Sequence, residues 1–147
     1  MTSQTPIDIV TEFLDDLARG NVAAALDDLD EHIAYTNVST PTVHGKRKVA
    51  KIFGGMDKLS WAGFNYRMVN VSSDGPVVLT ERVDELRMGP VVMQFWVCGR
   101  FEVAEGRITV WRDYFDYFDM AKGLIRGLLA AVIPAVQKPL PAKAVAG

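Results

Sequence analysis

Four extended segments follow one another in the second half of the chain, and they constrain its fold more than any other feature. Apolar, β-branched and aromatic residues are frequent in the segments 64–71, 77–86, 91–103 and 107–115. Turn-forming residues separate them at 72–76, 88–90 and 105–106. Strands joined by connections this short pair with their neighbours in antiparallel fashion. We therefore predict an antiparallel meander of four strands.

The third of these segments is apolar at both odd and even positions. Met93, Phe95 and Val97 have one parity, and Val92 and Trp96 have the other. Because successive side chains of a strand point to opposite faces, both faces of the sheet must be covered here. We expect helices to cover one face, and the other face to line an apolar pocket.

Helical signals precede the strands. Thr5 followed by Pro6 is typical of a helix start, with an N-cap hydroxyl and proline at the first helical position. Asn21 can cap a second helix, and a strand over 32–38 and a helix with a basic outer side over 45–53 follow. Helices first and a curved antiparallel sheet afterwards predict an α+β fold, with the helices segregated to one side.

The chain is predicted to be one domain, residues 1–147, whose end at 134–147 is a flexible tail rich in Ala and Pro. Its 16 Lys and Arg are scattered among 18 Asp and Glu, so we expect no nucleic-acid partner. His32, His44 and the single Cys98 lack the spacing of a zinc site, and no nucleotide-binding motif is present. We expect neither a metal nor another cofactor.

No membrane span is expected, and the cytoplasm is the expected compartment. The longest apolar stretch, residues 128–136, is about half of the roughly 20 residues that a membrane-spanning helix requires. It could instead cover a pocket mouth or a subunit interface. Residues 1–6 lack the cationic start and apolar core of a signal peptide.

Charged residues on two of the predicted strands are the candidates for catalysis. Arg82 and Asp84 are two positions apart in one strand and therefore point to the same face. Asp113 lies in the last strand, flanked by aromatic residues. Charges on a covered face are costly unless they pair. Either Arg82 forms a structural ion pair with one aspartate while the other faces water, or the three form an acid–base site.

The two aspartates lie on strands that flank one intervening strand, so they are about twice the ~4.8 Å strand spacing apart. Such a gap suits two carboxyl groups that hold a substrate and a water molecule between them, and Arg82 is long enough to bridge both. The simplest hairpin registers, however, place Asp84 opposite Met93 and Asp113 opposite Cys98, which have opposite parity. A common face then requires a three-residue turn at 88–90 or a β-bulge in the middle strand.

Tyr35 and Asn37 form a second same-face pair, on the first predicted strand. Each alone is more often a structural hydrogen-bonding residue. Beside a carboxylate, the two side chains could hold a water molecule while the carboxylate takes a proton from it.

Taken in order, Tyr35-x-Asn37, Arg82-x-Asp84 and Trp111-Arg112-Asp113-Tyr114-Phe115 resemble the limonene-epoxide hydrolase family. The similarity extends from the N-terminal helices to about Asp119. It implies a cone-shaped α+β fold of the cystatin-like, or nuclear-transport-factor-like, type. In this fold the N-terminal helices pack on a curved, mixed, largely antiparallel sheet around an apolar pocket. The resemblance also implies a homodimer.

The same resemblance implies a reaction and a role for each residue. Water would open the epoxide of a small apolar substrate (terpenoid, lipid or sterol-like) to a vicinal diol in one acid–base step, without a cofactor. Asp113 would be the general base on a water molecule that Tyr35 and Asn37 also hold. Asp84 would protonate the epoxide oxygen, and Arg82 would bridge the two aspartates.

Two alternatives remain open. An isomerase, cyclase or dehydratase on the same scaffold would also use pocket carboxyl groups and tyrosines, but would not need an arginine that bridges two aspartates. A non-catalytic module would bind a small apolar ligand or serve for dimerisation. The fold alone does not separate these functions, because one scaffold hosts many of them.

Overall fold

The computed structural model describes residues 3–142. Its helices are α1 (Pro6–Ala18), α2 (Val22–Asp27), α3 (Lys46–Phe53) and α4 (Tyr117–Val132). Its strands are β1 (Leu29–Asn37), β2 (Val43–His44), β3 (Ala62–Asp74), β4 (Val77–Met88), β5 (Val91–Ala104) and β6 (Arg107–Phe115). Single 3-10 turns lie at Met56–Lys58 and Pro134–Val136. The predicted α+β fold is confirmed, whereas residues 143–147 of the predicted flexible tail lie outside the described residues.

The six strands form one curled, open sheet in the order β2-β1-β6-β5-β4-β3. Strands β3 to β6 pair with successive neighbours in antiparallel fashion, which confirms the meander. Strand β1 pairs parallel with β6 and antiparallel with β2, so the sheet is mixed. The first hairpin is longer than predicted, because Asp74 pairs with Val77 and leaves only two residues for the turn.

Helix α1 covers one end of the inner face of the sheet. It begins as predicted, with a capping box in which Thr5 Oγ1 accepts from the Asp8 N–H and the Asp8 carboxylate accepts from the Thr5 N–H. Its buried face brings Phe13 edge-on to Trp111, with ring centroids 4.9 Å apart, and to Phe101. This aromatic group forms the main core, next to which the candidate site lies.

A β-bulge changes the register between the last two strands. Ile108 and Val110 of β6 pair with successive residues of β5, Val103 and Glu102. Thr109 between them is therefore the extra residue of a bulge. From Val110 onward, every side chain of β6 is shifted by one position relative to β5.

This bulge places both candidate aspartates on one face. Asp84 lies opposite Phe95 and Asp113 lies opposite Gly99, which are both odd-numbered positions of β5. We expected a three-residue turn at 88–90 or a bulge in the middle strand to bring the two aspartates to one face, and both expectations are wrong. The turn between β4 and β5 has two residues, and the extra residue of the bulge lies in β6. The turn between β5 and β6 does not itself require this extra residue.

Helix α4 lies where β6 leaves part of β5 without a neighbouring strand. The last pair of the β5–β6 ladder joins Phe115 to Val97, so the first part of β5 projects beyond it. Asp119 in the first turn of α4 accepts a hydrogen bond from the Trp96 N–H, at 2.9 Å. The helix therefore supplies a hydrogen-bond acceptor that a further strand would otherwise provide.

Two glycines allow α4 to approach the β5 backbone closely. A Cβ at Gly123 would collide with the carbonyl oxygen of Gln94, and one at Gly127 with that of Val92. The more distal apolar residues of α4 remain exposed, and none of residues 128–136 lines the main cavity, so this stretch does not cover the pocket mouth. Within residues 3–142, no helix is both long and apolar enough to cross a membrane.

Candidate active site

The inner face of the sheet carries the candidate residues at neighbouring cross-strand positions. One row of this face runs from Asn37 on β1 through Asp113 on β6 and Gly99 on β5 to Thr80 on β4. All five residues predicted from the sequence lie on this face and line one cavity: Tyr35, Asn37, Arg82, Asp84 and Asp113.

Arg82 is buried and contacts both aspartates. Its Nε lies 2.7 Å from Asp84 Oδ1 and its Nη2 lies 3.0 Å from Asp84 Oδ2, which makes a bidentate pair. The same Nη2 lies 2.9 Å from Asp113 Oδ1. The predicted contact of Arg82 with both aspartates is confirmed. The alternative in which one aspartate faces water is wrong, because Asp84 and Asp113 are only 6% and 7% exposed.

Gly99 and Thr80, which the sequence analysis did not single out, hold the guanidinium in place. The side chain of Arg82 crosses β5 above Gly99, where a Cβ would lie 2.5 Å from Arg82 Nη1. The Thr80 hydroxyl accepts from Arg82 Nη1 and from the Gly99 N–H, each at 3.2 Å. The sequence contained a signal for both residues. Glycine inside an apolar strand often marks a place where another group comes close to the backbone. Thr80 is two positions before Arg82 in the same strand and therefore points to the same face.

Asp113 is held by its own strand and by Arg82. The indole N–H of Trp111 donates to Asp113 Oδ2 at 3.0 Å. Asp113 Oδ1 accepts no hydrogen bond of good geometry from the described residues, although Arg82 lies close to it. Burial raises the pKa of Asp113; the charge of Arg82 lowers it, and that of Asp84 raises it further. Asp113 therefore lies between Trp111 and Arg82 and has an increased affinity for a proton.

Tyr35 and Asn37 lie beside this carboxyl group. Asn37 Nδ2 donates to the Tyr35 hydroxyl at 2.8 Å, and Asn37 is the cross-strand neighbour of Asp113. Burial raises the pKa of Tyr35 to about 12, so its hydroxyl is neutral near pH 7. Because that hydroxyl accepts from Asn37, its own proton is free to donate to a further acceptor.

These side chains open into a cavity of about 890 Å³. That volume lies within the usual range of small-molecule sites, roughly 300–1,000 Å³. Apolar residues supply much of its wall: Leu14, Leu17, Phe53, Leu86, Phe95, Phe115 and Met120. Residues 3–142 contain no group of three or more His, Cys, Asp and Glu that could hold a metal ion. The arrangement can remove a proton from one molecule and deliver one to another in apolar surroundings.

Known proteins share both the sequence and this architecture. The family model of the limonene-1,2-epoxide hydrolase catalytic domain matches residues 4–126. Epoxide hydrolase EphG of Mycobacterium tuberculosis (strain ATCC 25618 / H37Rv) is 46% identical over 112 residues, which are 76% of this chain and 74% of EphG. The solved structure of an LEH-like epoxide hydrolase from M. tuberculosis has a TM-score of 0.82 and 43% identity, and the match covers 88% of this chain and 96% of that one.

A more distant structure shares the fold alone. SalBIII, described as an epoxide hydrolase/cyclase-like enzyme, has a TM-score of 0.69 at 18% identity, over 78% of this chain and 92% of its own. The family match covers most of the chain, and it includes every strand that carries a candidate residue. The chain therefore belongs to the limonene-1,2-epoxide hydrolase family and is an enzyme of the epoxide hydrolase class.

Proposed function

We propose that this epoxide hydrolase adds water to the epoxide of an apolar substrate and forms a vicinal diol in one acid–base step. The observation that carries the proposal is the position of Arg82 Nη2, between Asp84 and Asp113 at the wall of the cavity. Two carboxyl groups tied to one guanidinium can remove a proton and deliver a proton in the same step.

Asp113 is the base in this proposal. A water molecule at the Asp113 carboxyl group would be held by Tyr35 and Asn37, the neighbouring side chains of β1, while Asp113 takes its proton. The water oxygen attacks one epoxide carbon as the ring C–O bond on that carbon breaks. The raised pKa of Asp113 supports this role, because a base with a greater affinity for protons drives the transfer better.

Asp84 delivers the second proton, to the epoxide oxygen that leaves the attacked carbon. The step requires one carboxyl group that carries a proton and one that is ionised. The productive form has this proton on Asp84 and an ionised Asp113 beside the water. After the step the proton is on Asp113, and exchange with solvent restores the starting form.

The substrate is the epoxide of a terpenoid, a lipid or a sterol-like molecule. Phe95, Phe115 and Leu86 form an apolar wall near the acidic pair, and the cavity of about 890 Å³ accommodates a molecule of that size. A panel of epoxides of increasing size would define the upper limit. We expect kcat/KM to rise with apolar surface until the cavity is filled.

Reaction of a cyclic epoxide in ¹⁸O-labelled water, followed by mass analysis, tests the chemistry. We expect a diol with one labelled oxygen, and none from a folded Asp113→Asn variant. A rearranged, unlabelled product would favour an isomerase or cyclase, the kind of role that the pyran-ring formation described for SalBIII represents. Tight binding without turnover would favour a non-catalytic module.

We also propose that the enzyme is a homodimer. The outer face of β5 and β6 exposes Trp96 (45%) and Tyr114 (42%), with Cys98 as the cross-strand partner of Tyr114. Exposed aromatic residues gathered in one patch are typical of protein interfaces. Light scattering at micromolar concentration should give twice the mass of the chain, and Trp96→Glu should give a monomer. A monomeric native protein would contradict the proposal.

We propose the cytoplasm as the compartment. Cys98 is the single cysteine of the chain, so no internal disulfide can form, which suits a reducing environment. Fractionation of cells that produce the protein at its natural level would test this, and recovery outside the cell would contradict it.

A further inference from the structure

A short segment beside the cavity concentrates the positive charge of the chain. We name residues 46–61 the mouth segment; it comprises α3, the 3-10 turn and the residues up to Trp61. It contains five of the 16 Lys and Arg of the chain and one of its 18 Asp and Glu, whereas the chain as a whole has a net charge of −2. Lys46 pairs with Glu31 at 3.9 Å. The other four cations are exposed: Arg47, Lys48, Lys51 and Lys58.

Large apolar side chains lie exposed among these cations. Ile52 is 51% exposed, Leu59 41% and Trp61 54%. On α3, the buried Val49 marks the side that faces the core. Ile52, three residues later, lies about 60° around the helix from Val49, at the border between that side and the exposed cations. Packing within the chain therefore accounts for only part of the surface of these three apolar residues.

The mouth segment also forms part of the cavity wall. Phe53, Met56, Asp57, Leu59 and Ser60 line the cavity, and Asp57 and Ser60 are exposed. Leu59 both lines the cavity and is exposed to solvent, so it lies at the opening. The exposed cations and the exposed apolar residues thus belong to a short segment that forms part of the cavity wall.

We propose that the mouth segment docks the enzyme on an anionic membrane surface, and that the substrate is the epoxide of a lipid dissolved in that membrane. The inference rests on the proposed function for its chemistry and adds where the substrate comes from. Lysine and arginine near an anionic leaflet each strengthen binding by about fivefold. Trp61 is the residue type that lies at the headgroup level, and Ile52 and Leu59 insert beside it. The lipid chain then passes from the bilayer into an apolar cavity without crossing water.

Vesicle binding tests the docking without relying on turnover. Sedimentation should recover the protein with phosphatidylcholine vesicles that contain about one third phosphatidylserine, and not with pure phosphatidylcholine vesicles. Binding should weaken at about 0.5 M salt, because the headgroup charges are then screened. Trp61→Ser should weaken binding and remove the shift of tryptophan emission that vesicles cause.

A pair of matched variants separates local charge from net charge. Lys48→Glu/Lys51→Glu should weaken vesicle binding at least tenfold. Lys122→Glu/Lys138→Glu, on α4 and in the residues after it, changes the net charge equally and should leave binding within about twofold. Equal losses in the two double variants, or equal binding to both kinds of vesicle, would overturn the proposal. Self-association that Lys48→Glu/Lys51→Glu abolishes, without vesicle binding, would assign the surface to a second copy instead.

Two substrates distinguish failure of this inference from failure of the proposed function. A small water-soluble cyclic epoxide should be hydrolysed at the same rate by the native protein and by both double variants. A long-chain lipid epoxide in anionic vesicles should be hydrolysed at least tenfold more slowly by Lys48→Glu/Lys51→Glu. Hydrolysis of the soluble epoxide without any vesicle effect would overturn the docking alone. Vesicle binding without hydrolysis of either epoxide would support the docking and overturn the proposed chemistry.

Discussion

Gly99 lies where the guanidinium of Arg82 crosses strand β5. The two residues are on adjacent strands, and a Cβ at Gly99 would lie 2.5 Å from Arg82 Nη1, 2.6 Å from Thr80 Oγ1 and 2.9 Å from the ring of Phe101. Because Gly99 has no side chain, it leaves the space through which Arg82 reaches Asp113 on β6. The bridge between the two aspartates depends on this space as much as on the charges.

Gly99→Ala should lower kcat by about 10²-fold or more, because the added methyl group displaces the guanidinium that positions both carboxyl groups. Steady-state kinetics with a soluble epoxide would measure the loss, and thermal unfolding would show whether the variant folds. Cys98→Ala, the adjacent position on the outer face, is the control and should stay within about twofold of the native rate. A fully active Gly99→Ala protein would mean that the guanidinium needs no such space.

Thr80→Val should show whether Thr80 acts by positioning Arg82 through its hydroxyl group or only by filling space. Valine keeps the shape of threonine but leaves Arg82 Nη1 and the Gly99 N–H without their acceptor, so the free energy of unfolding should fall by about 1–3 kcal/mol. We expect kcat to fall about tenfold with little change in KM, since Arg82 loses one anchor. Thr80→Ser restores the hydroxyl and should restore kcat. A normal kcat in a less stable Thr80→Val protein would make the role purely structural.

Asp113→Asn and Asp84→Asn should each abolish nearly all activity, by about 10³-fold or more, because one removes the base and the other the acid. The double variant should be scarcely slower than either single variant, since groups that act in one step are non-additive. Tyr35→Phe and Asn37→Ala should be milder, because each removes one of three groups that hold the water. Diol formation near the native rate by folded Asp113→Asn protein would place the base elsewhere.

Trp111→Phe should shift the pH dependence of the reaction in a defined direction. Burial raises the pKa of Asp113, so activity should fall with decreasing pH at a midpoint above the ordinary aspartate value of about 3.9. The hydrogen bond from Trp111 to Asp113 lowers this pKa, so its removal should move the acidic limb of kcat/KM to higher pH. Trp96→Phe is the matched control on the outer face. A limb that moves to lower pH in Trp111→Phe would contradict the assignment of Asp113 as the base.

Asp28→Asn should stabilise the protein at neutral and alkaline pH. Burial, together with the charges of Glu12, Asp16 and Asp27, raises the pKa of Asp28 to about 6, and its Oδ2 accepts no hydrogen bond from the described residues. The native state thus binds this proton more tightly than the unfolded state, so stability falls as the pH rises from about 4 to about 6.

The full shift in Asp28 would correspond to about 3 kcal/mol. Asp28 is only partly buried, and solvent screening reduces the expected gain to about 1 kcal/mol. Urea unfolding should show this gain for Asp28→Asn at pH 8 and no gain at pH 4. A gain of equal size at both pH values would show that ionisation of Asp28 is not its cause.

The parts of the fold that local patterns determine could be predicted from the sequence. The four strands of the meander follow from alternating apolar residues and short turns, and the start of α1 follows from Thr5 and Pro6. The gathering of the candidate residues at one cavity could be predicted because Tyr35-x-Asn37, Arg82-x-Asp84 and the run from Trp111 to Phe115 are specific in combination. Each of these signals spans only a few neighbouring residues.

Other features depend on contacts between distant segments, and the sequence analysis missed them. Strand β2 has two residues and exists only because Val43 and His44 pair with β1. The placement of α4 along β5 depends on Gly123 and Gly127, whose role is visible only once the strand is beside them. The bulge at Thr109 has no glycine or other local mark, so the register of the last hairpin could not be read in advance.

That bulge makes the active site depend on strand register as well as on residue type. If Thr109 were paired in a regular ladder, every catalytic side chain would remain in the sequence, but Asp113 would lie opposite Cys98 and turn to the outside of the sheet with Trp111, and Arg112 and Tyr114 would turn inside. A register shift of one residue is therefore more damaging here than most substitutions. Conversely, a designer who grafts this motif onto another hairpin must transplant the irregularity along with the aspartate.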